Sequence, residues 1–140
     1  MDSSAGSLKA GPSYSRTKKQ VEGVEYVDLD MLLRESDIVS LHVPQTPATI
    51  GMIGQRELSL MKPTAVLINT ARGPVVDSKA LAAALHSGEI AGAGVDVFET
   101  EPPIAEDHPL FSAPNVVATP HVAFATAESM VKRAGIVMEN

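Results

Sequence analysis

Apolar and polar positions alternate between two kinds of segment along most of this chain. The first kind is short, apolar and rich in β-branched residues. It occurs at Asp37-Ile38-Val39-Ser40-Leu41-His42-Val43, at Thr64-Ala65-Val66-Leu67-Ile68-Asn69, at Ala91-Gly92-Ala93-Gly94-Val95-Asp96-Val97 and at Asn115-Val116-Val117-Ala118-Thr119. Turn residues bound each run, and several runs lack polar alternation. Such runs suit strands of a parallel sheet, buried on both faces. The second kind is helical. Leu29 to Glu35 forms one segment, with Asp28 or Asp30 available as N-cap. Gln55 to Met61 forms another, limited by Pro63. Asp77 to Ser87 has Asp77 as N-cap, Gly88 just past its end, and Leu81, Ala84 and Leu85 on one stripe. A last helix begins near Thr126, with Ala127, Met130, Val131 and Ala134 on one face. The alternation predicts an α/β fold, a doubly wound and mostly parallel sheet with helices on both faces.

Composition narrows the function classes. The chain has 140 residues, 44% hydrophobic and 20% charged, which is enough for one domain or part of one. Its net charge of -6 disfavours a nucleic-acid partner. Without cysteine it has no disulfide framework, thiolate metal site or cysteine nucleophile. Aromatic residues are 4% and Trp is absent, so base-stacking platforms are not expected either. No apolar run reaches the roughly 18 residues that suggest a membrane span. The N-terminal stretch lacks the apolar centre of a secretory signal. A cytoplasmic protein without membrane partners is the expectation. Residues 1–13, rich in Ser, Gly and Ala, read as a disordered tail, with order beginning near Tyr14.

Ligands of open parallel sheets gather beyond the carboxyl ends of the strands. Past the second predicted strand come Thr70, Ala71 and Arg72. Past the third come Glu99 and Glu101, and past the fourth come Pro120 and His121. If the strands are parallel neighbours, an arginine, a carboxylate and a histidine converge on one crevice. Such a set suits acid–base chemistry on a small anionic substrate. Each residue also has a plain alternative. Arg72 could cap carbonyls, Glu101 could be a solvated member of an acidic loop, and Asp96 could cap a turn. His42 reads as a marker of backbone near a cofactor, and His86 and His108 as ordinary surface residues. No His-x-x-x-His or Glu-x-x-His spacing supports a metal site.

The wording of four blocks adds a resemblance. Ser36 to Pro44 (SDIVSLHVP), Met61 to Asp77 (MKPTAVLINTARGPVVD), Gly92 to Pro103 (GAGVDVFETEPP) and Asn115 to His121 (NVVATPH) resemble the D-isomer-specific 2-hydroxyacid dehydrogenases, in order and over about Tyr14 to Asn140. The resemblance implies an oxidoreductase acting on D-2-hydroxy acids or 2-ketoacids with NAD or NADP. In it Arg72 matches the arginine that grips the substrate carboxylate, a task suited to a planar guanidinium. His121 matches the general acid–base, and Glu101 the carboxylate that orients it. Hydride would come from a nicotinamide. Val43, Pro44 and Thr49 match residues lining the dinucleotide. Thr70, Ala71 and Arg72 match the segment under the nicotinamide ribose, and Asp96 the carboxylate facing the carboxamide. Related formate dehydrogenases carry an amide at the Glu101 position, so a carboxylate favours a hydroxyacid or ketoacid.

Two departures qualify the resemblance. No G-x-G-x-x-G can be built from the early glycines, and the family's first strand is not recognisable. Residues 14–140 therefore read as a partial NAD(P)-binding domain, incomplete at both ends. Its isolated chain is expected to turn over weakly or not at all, although the parent is expected to be a homodimer. In the 3-2-1-4-5-6 strand order strand 1 is central, so a gap in the sheet is expected. Second, Ser15 and Arg16 stand near the end of the second strand, where NAD enzymes usually place an acid; with Lys18 and Lys19 they suit a 2′-phosphate or form a solvated basic turn. A non-catalytic dinucleotide-binding or corepressor-like interaction module and an unstable relic are the competing readings.

Overall fold

The computed structural model describes residues 11–15 and 21–130. Four strands, β1 (Ile38–Leu41), β2 (Val66–Asn69), β3 (Gly92–Val95) and β4 (Val116–Ala118), form one parallel sheet in the order β1-β2-β3-β4. Three helices accompany them: α1 (Leu29–Glu35), α2 (Gln55–Leu60) and α3 (Ser78–Ser87). Each strand sits inside an apolar run identified in the sequence, and the helices fall on the three helical segments. Residues 127–130 are helical and end the described part of the chain.

Local chemistry accounts for the boundaries. Asp28 caps α1 by accepting the Met31 amide at 2.8 Å. Asp77 caps α3 by accepting the amides of Lys79 and Ala80, both at 3.0 Å. Gly88 ends α3 at φ 74, a left-handed turn that costs glycine nothing. Asp77→Ala removes the acceptor for two amides of the first turn. It is expected to cost about 1 kcal/mol, read as a lower urea midpoint with an unchanged slope.

Helices α2 and α3 cross between strands that advance in one direction, so right-handed connections place both on one face. α1 packs on α2, and α2 on α3. Beneath them lie Val39 and Leu41 of β1, Leu67 of β2, and Ala93 and Val95 of β3, with Leu33, Leu58, Leu81 and Leu85 from the helices. Ile38 and Val117 point away and are 67% and 70% exposed. Helices reach the second face of a doubly wound sheet only where the strand order reverses. Among the described residues no strand pairs with the outer edge of β1. A separate parallel bridge joins Ser13 to Tyr26 outside the sheet. Ser13, the last residue of the expected tail, donates to the Glu25 carbonyl and accepts from Val27.

The register matters most for the site. Leu41, Asn69, Val95 and Ala118 are successive partners across the sheet, so its four strands end together. The next residues, His42, Thr70, Asp96 and Thr119, therefore begin four adjacent loops along one edge.

Candidate active site

Each loop is shaped by hydrogen bonds within it. After β1, Thr49 is buried; its hydroxyl donates to the Pro44 carbonyl at 2.7 Å and accepts the Thr46 amide at 2.8 Å. This closes the turn that begins at Val43. The turn is tied to the next loop, because Gly51 donates to the Pro74 carbonyl and Ile53 to that of Val75. His42, at the head of the loop, meets the Ser40 hydroxyl at 2.8 Å.

After β2, Asn69 does what no sequence motif indicated. It is 2% exposed, its side-chain oxygen accepts the Ala71 amide, and its nitrogen donates to the Arg72 carbonyl, both at 3.1 Å. A buried amide thus folds the Thr70-Ala71-Arg72 turn. The only sequence signal was a polar residue closing an apolar strand. Arg72 is exposed, and Nη1 donates to the Ala71 carbonyl at 2.6 Å. Its hydrogen bond links it to none of Asp96, Glu101 or His121.

Beyond β3 and β4 the structure does join the expected residues. Nδ1 of His121 lies 2.6 Å from Oε2 of Glu101. The other Glu101 oxygen accepts the Phe98 amide at 2.5 Å. Nδ1 donates to the carboxylate, so Nε2 points the other way and is the atom left to exchange a proton with a ligand. The imidazole is 42% exposed, which permits that exchange.

Asp96 builds the loop on which His121 sits. It is 3% exposed; Oδ1 accepts the Thr119 hydroxyl at 2.5 Å and the Val122 amide at 2.8 Å, and Oδ2 accepts the Ala123 amide at 2.9 Å. The turn-cap alternative for Asp96 is therefore present in the geometry, and it is compatible with a ligand on the remaining lone pair of Oδ2. His121 has φ 55, a left-handed conformation that is costly for a residue with a side chain. Carboxylate contacts on both sides of it hold that conformation. Burial raises the Asp96 pKa, but the Thr119 hydroxyl, the Ala123 and Val122 amides and the nearby His121 lower it more, and it lies below the ordinary Asp value. A depressed folded pKa stabilises the fold above the unfolded value near 3.9, and the contribution disappears as pH falls through the folded value. Asp96→Asn turns one acceptor into a donor facing an amide. A loss of about 1–3 kcal/mol is expected at pH 7, shrinking below pH 4, in urea titrations of both proteins.

His108 departs from the surface role expected of it. Its side chain is 9% exposed, packs edge-on against Phe98 at 5.1 Å, and places Nε2 2.9 Å from Oε2 of Glu99. An aromatic neighbour ten positions upstream is a tertiary contact that no local pattern announces. Arg16 lies outside the described residues; Ser15 is described, half-buried, two positions past the Ser13 bridge. Among the described residues no group of three or more His, Asp or Glu side chains could hold a metal, and no helix is long and apolar enough to cross a membrane.

The donor set fits the nicotinamide end of a dinucleotide. Four parallel strands deliver Val43-Pro44, Thr70-Ala71-Arg72, Asp96 and His121 to one edge, where such ligands lie. No glycine cradle for the pyrophosphate occurs in the sequence.

A parallel α/β sheet whose four strands end along one edge defines the class as a Rossmann-like α/β domain. The sequence model of the D-isomer specific 2-hydroxyacid dehydrogenase, NAD binding domain, matches residues 8–123, and the chain belongs to that family. The match begins before Tyr14 and takes in part of the expected tail. The glyoxylate reductase of Thermococcus litoralis is 54% identical over 131 residues, covering 91% of this chain and 39% of that protein. That of Korarchaeum cryptofilum is 58% identical over 118 residues, covering 84% and 35%. The chain thus spans little more than a third of the curated relatives it matches. Among solved structures, the NAD complex of the D-isomer specific 2-hydroxyacid dehydrogenase from Lactobacillus delbrueckii ssp. bulgaricus superposes with TM-score 0.81 at 42% identity, over 91% of this chain and 43% of that one. An acyclic imino acid reductase in complex with NADPH and D-Arg gives TM-score 0.85 at 38% identity, over 94% and 41%.

Proposed function

We propose that this chain supplies the nicotinamide end of the cofactor site and the acid–base pair of an NAD(P)-dependent oxidoreductase that interconverts D-2-hydroxy acids and 2-ketoacids. The observation that carries this reading is the Glu101–His121 contact at the strand-end edge, with Nε2 turned away from the carboxylate. When bound, the nicotinamide supplies or accepts the hydride. During reduction, His121 Nε2–H gives its proton to the carbonyl oxygen; during oxidation, Nε2 takes the proton of the hydroxyl. Glu101 fixes the ring through Nδ1 and stabilises the charge it carries. Among the described residues the Arg72 guanidinium donates to the neighbouring Ala71 carbonyl, a neutral acceptor that a substrate carboxylate displaces readily. Thr49, Val43 and Pro44 would line the dinucleotide on the β1 side, and Asp96 would offer the nicotinamide carboxamide a buried carboxylate. NAD and NADP both fit the reading, and Ser15 with Arg16 favours a 2′-phosphate. A homodimer is the assembly inferred for the parent enzyme.

The test is a chimera in which residues 21–130 replace the corresponding segment of the Thermococcus litoralis glyoxylate reductase. Reduction of glyoxylate or another 2-ketoacid with NADH or NADPH is expected. A folded chimera that binds nucleotide but reduces none of these would end the proposal. The 140-residue chain alone is expected to show little or no turnover, since it carries no glycine cradle; brisk reduction by the purified chain would contradict that.

A further inference from the structure

We propose that Glu99 and His108 are positioning residues for Glu101: they fix the Phe98 peptide whose amide aims the Glu101 carboxylate at His121. The inference rests on reading Glu101 and His121 as the acid–base pair.

One carboxylate oxygen of Glu101 is held by the Phe98 amide and the other meets His121. The direction of the carboxylate therefore depends on where the Phe98 amide points. Glu101 itself lies in an exposed loop just before Pro102 and Pro103, and its side chain is 22% exposed. A loop of that kind does not hold a carboxylate in one direction by itself.

Phe98 is anchored on two sides. Its ring is 5% exposed and stands edge-on to His108, with Phe111 at 5.8 Å. Its carbonyl lies against Gly73, the residue after Arg72, so closely that a side chain at Gly73 would overlap it. His108 is held in turn. Nδ1 accepts the Leu110 amide at 3.3 Å, which places the ring proton of the neutral form on Nε2, facing Glu99. His108 caps the short 3-10 turn Pro109–Phe111, and that turn packs on α3. The path runs from α3 through the Pro109–Phe111 turn to His108, which Glu99 also holds, then to the Phe98 ring, and through the Phe98 amide to Glu101. Burial raises the Glu99 pKa, but Ser78 and His108 lower it more, so the carboxylate stays charged and able to hold His108 near neutral pH.

The test uses the whole 15N-labelled 140-residue chain and needs no turnover. Two readouts report on the site: hydrogen exchange of the Phe98 amide, and the ring nitrogen signals of His121. Glu101→Gln sets the reference for a disturbed pair. His108→Asn retains an acceptor for the Leu110 amide and removes the donor to Glu99. It is expected to speed Phe98 exchange about five- to tenfold and to move the His121 signals toward those of the reference. His108→Gln, whose amide reaches the Nε2 position, is expected to restore both. Exchange at Leu67 and Val95 stays unchanged in each case. If H108N leaves Phe98 and His121 as they are in the unsubstituted chain, the inference fails. It also fails if H108N and H108Q act alike and protection of Leu67 and Val95 falls with them, since the role is then packing alone. Should H108N unfold the chain, Glu99→Gln is read out in the same way, with a smaller shift in the same direction expected and no shift overturning it. If E101Q itself leaves His121 unmoved, the acid–base reading fails instead, and the two failures are told apart.

Discussion

Replacing His121 by asparagine is expected to lower 2-ketoacid reduction by the chimera about 10²- to 10⁴-fold, with nucleotide affinity nearly unchanged. At 1.36 kcal/mol per decade this is about 3–5 kcal/mol of transition-state stabilisation. The asparagine amide falls near the Nδ1 position and keeps a donor for Glu101, so the loop and its carboxylate stay in place. What disappears is the second ring nitrogen, on the side opposite the Glu101 contact. A loss confined to turnover is the signature of an interaction made in the transition state. Steady-state rates with nucleotide saturating, beside fluorescence titration of the reduced nucleotide, separate the two effects. A fall of less than tenfold would place the proton donor elsewhere.

Gly73→Ala is expected to be the most destabilising single substitution in the site, at about 3 kcal/mol or more. A Cβ built at Gly73 lies 1.9 Å from the Phe98 carbonyl carbon, 2.0 Å from its oxygen and 2.5 Å from the Glu99 nitrogen. All three are backbone atoms, so no rotamer change relieves the overlap, and the two loops must separate. One loop carries Arg72 and the other Glu101, which couples the stability of the domain to the geometry of its chemistry. Urea unfolding of the 140-residue chain measures the cost. A change below about 1 kcal/mol would mean that the two backbones do not meet.

These two sites differ in how far they could be read from the linear chain. His121, Glu101 and Arg72 each follow an apolar run, and a parallel sheet sends such positions to one edge whatever its details. Their placement along one strand-end edge was legible, and so was the α/β class, because strand and helix periodicities are local. The caps were legible too: Asp28 and Asp77 stand where a side-chain acceptor meets a first-turn amide. Gly73 was not. Its neighbour Phe98 is 25 positions away, and nothing in Arg-Gly-Pro announces a backbone at its α-carbon. His108 was misread for the same reason, since its surroundings in sequence are acidic and its surroundings in space are Phe98, Phe111 and Glu99. Asn69 and Thr119 were passed over as strand termini, although they shape the two loops that matter most.

Arg72 shows the limit from the other side. Its placement at the strand-end edge followed from the sequence, yet its guanidinium donates to the carbonyl next to it. Placing a residue on an edge needs only the topology; directing its side chain needs every partner within reach.

By itself the amino-acid sequence determined the class of fold, the order of elements and the edge on which the chemistry gathers. Those depend on periodicity and on turn residues, which act over a few positions. The tertiary structure decided which atoms meet: that Nδ1 of His121 faces Glu101, that Asp96 braces a left-handed histidine from both sides, and that one peptide at Phe98 links Arg72's loop to Glu101's. Those depend on hydrogen bonds and close packing between residues some 20 to 30 positions apart, whose energies fall away within an ångström and leave no trace in local pattern.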